Sequence, residues 1–189
     1  ITDVVIRNLI LNKYILDEED ISKFPFLLDN LLLSNIALAH NPALIFKLPN
    51  LTNHNLQFIK DQHLVPTYDD YMKHPILRND NLLVKKSFEK DPSCIVFMNS
   101  EILDYYVAQE AANRGFIATE KDLILNPLLG KYKPIMEPAI MHNPALISYI
   151  EYTCFLSEQC LNYALDNLEI TADTLEEHPN LCGNLDVMN

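Results

Sequence analysis

The sequence predicts an all-α chain, a right-handed α-solenoid of tandem helical repeats about 51 residues long. Three observations carry the prediction: prolines that recur in phase, helix-capping residues that recur ahead of them, and apolar residues at helical spacing. Pro25, Pro75, Pro127 and Pro179 stand 50, 52 and 52 residues apart. Pro42, Pro92 and Pro144 stand 50 and 52 apart, each 17 residues after its partner in the first set. The neighbours agree in type. The first set opens Pro25-Phe26-Leu27, Pro75-Ile76-Leu77, Pro127-Leu128-Leu129 and Pro179-Asn180-Leu181. The second sits in Asn41-Pro42-Ala43-Leu44-Ile45, Asp91-Pro92-Ser93-Cys94-Ile95 and Asn143-Pro144-Ala145-Leu146-Ile147. This phasing divides the chain into the end of one repeat (1–16), three repeats (17–66, 67–118 and 119–170) and the start of a further one (171–189).

Each repeat begins on a helix N-cap. Asp17, Thr67, Thr119 and Thr171 stand eight residues before the first proline, followed three residues later by Asp20, Asp70, Asp122 and Thr174. This approximates a capping box, in which side-chain oxygens satisfy orphan amides and carboxylates meet the positive end of the helix dipole. A first helix of about two turns follows, and the proline ends it or starts the next turn. The second helix is predicted at 30–40, 81–90 and 133–142, with helical apolar spacing in Leu32, Ile36 and Ala39. Pro138 is expected to kink or delay the last of these. Asn41, Asp91 and Asn143 are N-caps followed by Pro at the favoured N1 position, which starts a third short helix. A fourth helix is predicted at 53–63, 100–114 and 157–168, with Gly115 as a left-handed terminator. Residues 1–14 read as the last helix of a preceding repeat. The chain thus starts and stops mid-repeat, and the expectation is an excerpt of a longer solenoid. Strands are not supported, because three glycines in 189 residues leave almost no hairpin punctuation.

Composition restricts the function classes. The hydrophobic fraction of 49% and charged fraction of 21% are those of a chain that folds around a core. No apolar run approaches the roughly 18–20 residues of a membrane span. The net charge is −12. Residues 1–65 carry −2 (5 basic, 7 acidic), 66–117 carry −2 (6 and 8), 118–169 carry −4 (3 and 7), and 170–189 carry −4 (0 and 4). Nucleic-acid binding is not expected, since a basic stripe is needed to neutralise phosphates. The nearest approach, Arg78, Lys85, Lys86 and Lys90, is interrupted by Asp80, Glu89 and Asp91. A basic protein surface is a better partner for such a chain.

The residues with chemical potential fall mostly into the repeat. His74 and His178 precede a first proline, while His40 and His142 lie two before a second; all four suit helix C-termini, where imidazole meets free carbonyls. His54 and His63 are nine apart and form no two-His face. The acidic run Asp17-Glu18-Glu19-Asp20 is explained by capping, with no EF-hand glycine after it. Cys94, Cys154, Cys160 and Cys182 lack C-x-x-C spacing, and Cys94 replaces a repeat leucine, as a small buried side chain would. Gly115, Gly130 and Gly183 are isolated, which excludes phosphate-cradling loops, and no G-x-S-x-G elbow occurs. No catalytic residue, metal or cofactor is therefore expected.

Tandem units of this size, with T-x-x-D-h-x-x-x-P-x-L followed by N-P-x-L-I, resemble HEAT and armadillo-like α-solenoids in architecture. The motif does not match the tetratricopeptide or ankyrin patterns. The resemblance implies a non-catalytic scaffold that binds proteins along its surface, as a module of a longer chain. A structural component of a large assembly, such as a phage or virus particle or a secretion machine, is the alternative. Neighbouring subunits would then be the partners. High Asn, Ile and Leu suits an AT-rich genome, and the expected compartment is the cytoplasm, of the host cell if the source is viral. Partner contact is expected in what does not repeat: Tyr105, Tyr106, Tyr132 and Tyr152, and the acidic residues Asp173, Glu176, Glu177 and Asp186.

Overall fold

In a computed structural model, residues 2–150 and 156–168 are described, and among them every element is helical. Helix α1 (Thr2–Leu11) is followed by one order of elements three times: α-helix, 3-10 turn, α-helix, 3-10 turn, α-helix. The first series is α2 (Glu18–Lys23), η1 (Pro25–Asp29), α3 (Leu31–His40), η2 (Pro42–Lys47) and α4 (Asn53–Asp61). The second is α5 (Tyr68–Lys73), η3 (Pro75–Asn79), α6 (Asn81–Lys90), η4 (Pro92–Phe97) and α7 (Tyr105–Asn113). The third is α8 (Glu120–Leu125), η5 (Pro127–Lys131), α9 (Lys133–His142), η6 (Pro144–Tyr149) and α10 (Glu158–Asn167). The chain divides into two compact units, Ile1–Lys86 and Ser87–Asn189, with the division inside α6.

Local chemistry sets the starts of these elements. Asp17, Thr67 and Thr119 each accept the amide of the residue three on, and Asp20, Asp70 and Asp122 each reach back to the cap's own amide. Such reciprocal caps contribute about 1 kcal/mol each. A further box was not foreseen: Asn55 Oδ1 accepts the amide and hydroxyl of Thr52, both at 2.8 Å, ahead of α4.

Every proline of the two in-phase sets that is described starts a 3-10 turn, including the second set, where the sequence predicts a short helix without fixing its kind. The reason lies in burial. Leu44, Ile45 and Phe46 are consecutive and all buried, as are Cys94 to Phe97. An α-helix with one buried face cannot hide three or four neighbours in a row. A short turn wedged between helices can. Its six residues also end before an α-helix would gain from propagation. Asn41, Asp91 and Asn143 cap these turns by accepting the amide two residues on, at 3.2, 2.9 and 3.2 Å.

One helix start differs clearly from expectation, and one helix accommodates an interior proline within its expected limits. Helix α7 starts at Tyr105 rather than near residue 100. Asn99 first closes a separate turn, accepting Leu103 N at its carbonyl (2.9 Å), and Asp104 then caps the helix through Val107 N (2.9 Å). Helix α9 runs through Pro138 as one element. The interior proline costs roughly 3 kcal/mol. Burial of Ile135, Met136, Ala139 and Ile140, each 0% exposed, contributes about 1.5–3 kcal/mol for each larger side chain and outweighs it.

Helices α1, α4 and α7 each end on a left-handed residue. Gly115 has φ +86°, as expected for a terminator, but His63 (φ 53°) and Lys13 (φ 52°) do the same work in α4 and α1. In all three the next amide reaches back five residues: Tyr14 to Leu9, Leu64 to Ile59 and Phe116 to Ala111, at 2.9, 3.0 and 3.0 Å. Helix α4 therefore stops at Asp61, with His63 beyond it. In the first unit Leu16, Ile21, Leu27, Leu28, Leu33, Ala37 and Leu44 form one buried cluster, with Ile6, Leu9 and Ile10 of α1 packed against it. In the second, Arg114 ties the end of α7 to the end of α6, donating to the Phe88 and Glu89 carbonyls (2.8 and 3.2 Å) and lying over the Phe88 ring.

Candidate interaction site

Helices α7 and α9 pack side by side within the second unit and leave an open groove of about 470 Å³ between them. Tyr105, Gln109 and Asn113 line it from α7; Lys133, Pro134, Glu137, Pro138 and Met141 line it from α9. The capping turn at Asp104 places Tyr105 and Tyr106 on the first turn of α7. They are 53% and 82% exposed, and their rings meet edge to face with centroids 6.2 Å apart. Two adjacent exposed tyrosines present apolar ring area with polar tips, and do so with few rotatable bonds.

Charge in the groove is balanced. Glu137 lies 3.6 Å from Lys133 and accepts the Ser157 amide. Burial works against its ionised form, but the Ser157 hydrogen bonds and the Lys133 ammonium together hold the carboxyl below its ordinary range. The groove therefore carries one positive and one negative group at neutral pH, on walls that are otherwise neutral or apolar.

The other predicted contact residues are placed differently. Tyr132 is half-buried, and its hydroxyl donates to the Leu103 carbonyl at 2.8 Å, so it braces the second unit. Tyr152, Asp173, Glu176, Glu177 and Asp186 lie outside the described residues. Of the remaining tyrosines, Tyr71 is fully buried, and Tyr149 donates to Glu120 at 3.0 Å. The sequence reading missed Gln109, Lys133, Pro134, Glu137, Pro138 and Met141 as lining residues. Pro134 and Pro138 carried the available signal, because neither belongs to the proline phasing.

The histidines divide. His40 and His142 sit in the last turns of α3 and α9 and are exposed, as helix-end residues. His74 does not serve its own helix end. It is 3% exposed, and its Nε2 donates to the Phe46 carbonyl in η2, 28 residues earlier, at 2.9 Å. Lys73 donates to the same oxygen at 3.0 Å. Asn126 holds the matching position in the second unit. It is buried, and its Nδ2 donates to the Met98 carbonyl, again 28 residues earlier, at 2.7 Å, while its Oδ1 caps η5. Cys94 is fully buried and unpaired with another cysteine, and burial pushes its thiol up to about 12. Such a thiol carries no thiolate at neutral pH. Among the described residues no three His, Cys, Asp or Glu converge to hold a metal ion, and no helix is long and apolar enough to cross a membrane.

Comparison with protein-family models, with curated proteins and with solved structures finds no match to this chain.

Proposed function

We propose that this chain is a non-catalytic helical-repeat scaffold, a right-handed α-solenoid module that binds a protein segment in the α7–α9 groove. The observation that carries the reading is Tyr105, half exposed on the wall of that groove, with the exposed ring of Tyr106 against its own. Tyrosine is enriched among residues that dominate binding energy, and an open groove of mixed polar and apolar lining that contains one ion pair suits a peptide or a helix edge. The threefold order of elements supports stacked repeats, an architecture whose usual work is recognition along an extended surface. The acidic residues Asp173, Glu176, Glu177 and Asp186 extend the proposal towards a partner with a basic surface.

The test is affinity capture with chemical cross-linking, comparing the native chain with the Tyr105→Ala/Tyr106→Ala double variant. A partner cross-linked at α7 or α9 in the native chain and reduced at least about tenfold by the variant supports the reading. Equal recovery with both, or cross-links confined elsewhere, refutes it. Charge reversal at Asp173, Glu176 and Glu177 tests the acidic extension separately.

A second reading, a structural component of a large assembly, draws on the exposed apolar side chains Val4, Leu11, Leu31 and Leu32 of the first unit. Sedimentation analysis separates the two. A stable monomer favours the module, and self-assembly favours the structural component.

A further inference from the structure

The first unit has a second concavity, an apolar one of about 370 Å³. Val5 and Leu9 of α1 form one wall, and Phe24, Phe26 and Leu27 at the α2–η1 corner form the other. Phe24 is 49% exposed and Phe26 44% exposed, with their rings edge to face. The same place in the later series is filled. Helix α4 packs on η2, and the end of α5 holds the η2 carbonyl of Phe46 through Lys73 and His74. In the second unit η4 packs against both α7 and α8, and its C-cap carbonyl receives Asn126. A proline-led turn thus sits between a closing helix and the short helix that follows it. Helices α1 and α2 are such a pair, because Lys13, Phe24 and Pro25 match His63, His74 and Pro75 at a constant interval of 50 residues.

We propose that this groove receives a proline-led 3-10 turn of the same Asn-Pro-x-Leu-Ile kind, supplied by sequence of the same polypeptide upstream of Ile1. The inference rests on the reading of the chain as stacked repeats. Phe24 takes the place of His74 and Asn126 but has no donor, so it contributes apolar contact to the incoming turn. Lys23 occupies the position of Lys73 and presents an ammonium for the carbonyl of the turn that corresponds to Phe46; its present partner, Glu19, is an exposed neighbour on the same helix. Exposed ion pairs of that type are weak enough to exchange. The apolar walls then gain the burial that their counterparts at 74, 76, 126 and 128 already have.

Hydrogen exchange tests this by comparing the 189-residue chain with the polypeptide translated from its gene's own start. The expected result is exchange slower by about tenfold or more at residues 5–9 and 23–28 in the longer polypeptide, independent of protein concentration. Phe24→Asp should abolish that protection and leave the melting temperature of the 189-residue chain nearly unchanged. Equal exchange in both polypeptides overturns the inference, as does a gene product that starts at Ile1. Protection that grows with concentration assigns the groove to a second copy and also overturns it. His74→Ala is the control for stacking itself: if it destabilises the chain while the groove exchanges equally, the inference fails and the stacked-repeat reading stands.

Discussion

Single residues settle the ends of the helices. Lys13, His63 and Gly115 occupy the same left-handed position, yet only the glycine adopts it without a Cβ penalty. A left-handed L-residue costs roughly 1–2 kcal/mol, and a glycine returns about 0.5–1 of that through its freer unfolded chain. His63→Gly should therefore raise stability by about 0.5–1 kcal/mol in urea unfolding, and Gly115→Ala should lower it by a similar amount. A Cβ at Gly115 would meet nothing within 4 Å, so the second effect isolates the backbone. Gly115 was readable in the sequence because glycine announces the conformation. Lys13 and His63 were not, because their conformation is imposed by the amide that follows. Asp80 shows a different single-residue effect. Burial opposes its ionised form, but the Lys60 ammonium at 2.9 Å and the Leu82 and Leu83 amides prevail and hold its carboxyl below the ordinary 3.8. A carboxylate with a lowered folded pKa stabilises the fold above its unfolded pKa and loses that contribution as pH falls through the folded one. Asp80→Asn keeps a capping oxygen and removes the charge. The gap in stability between native chain and variant should thus be full near pH 6 and close progressively below about pH 4, read by thermal unfolding across pH.

At the scale of elements, capping and close approach decide what the sequence discloses. The in-phase capping residues and prolines placed α3, α6 and α9 within a residue of their observed limits, since side-chain caps and missing amides act locally. The 3-10 character of η2, η4 and η6 was hidden, because it follows from burial on all sides and not from any short-range preference. Helix α7 began five residues late for a comparable reason: Asn99 and Asp104 are both competent caps, and the turn between them decided which one opens the helix. Thr119→Ala should cost about 1 kcal/mol by removing the α8 cap, with Thr119→Ser close to native in the same unfolding assay. Gly130 lies in η5, where a Cβ would collide with the backbone carbonyl of Tyr149 in η6. Because that neighbour is main chain, relief requires moving one turn away from the other. Gly130→Ala should destabilise by about 1–3 kcal/mol, although φ there is ordinary for any residue. Nothing in the one-letter sequence distinguishes this glycine from a solvent-exposed loop glycine.

For the molecule as a whole, the all-helical class was legible in the sequence, and the candidate site was legible only in part. Tyr105 and Tyr106 were expected as contact residues because they do not repeat; both are exposed, and Tyr105 lines the groove. The groove itself was not foreseen, because it depends on α9 lying against α7 through residues 20 or more positions later in the chain. The two carbonyl contacts, His74 to Phe46 and Asn126 to Met98, give the stacked-repeat reading a thermodynamic consequence. In a quasi-linear chain stability is approximately a sum of local and nearest-neighbour contributions. His74→Ala alters contacts within the first unit, and Asn126→Ala alters contacts within the second. Asn126→Ala leaves a buried carbonyl without that donor and should cost about 1–3 kcal/mol. His74→Ala should cost less for the carbonyl itself, because Lys73 still donates to Phe46, but it adds a cavity. The two variants share no partner, so the double variant should lose the sum of the single losses to within about 0.5 kcal/mol. Hydrogen exchange should then accelerate chiefly around residues 44–48 and 71–77 in one variant, and 95–103 and 123–129 in the other. Uniform acceleration along the chain in either variant would show an all-or-none fold and count against stacked repeats.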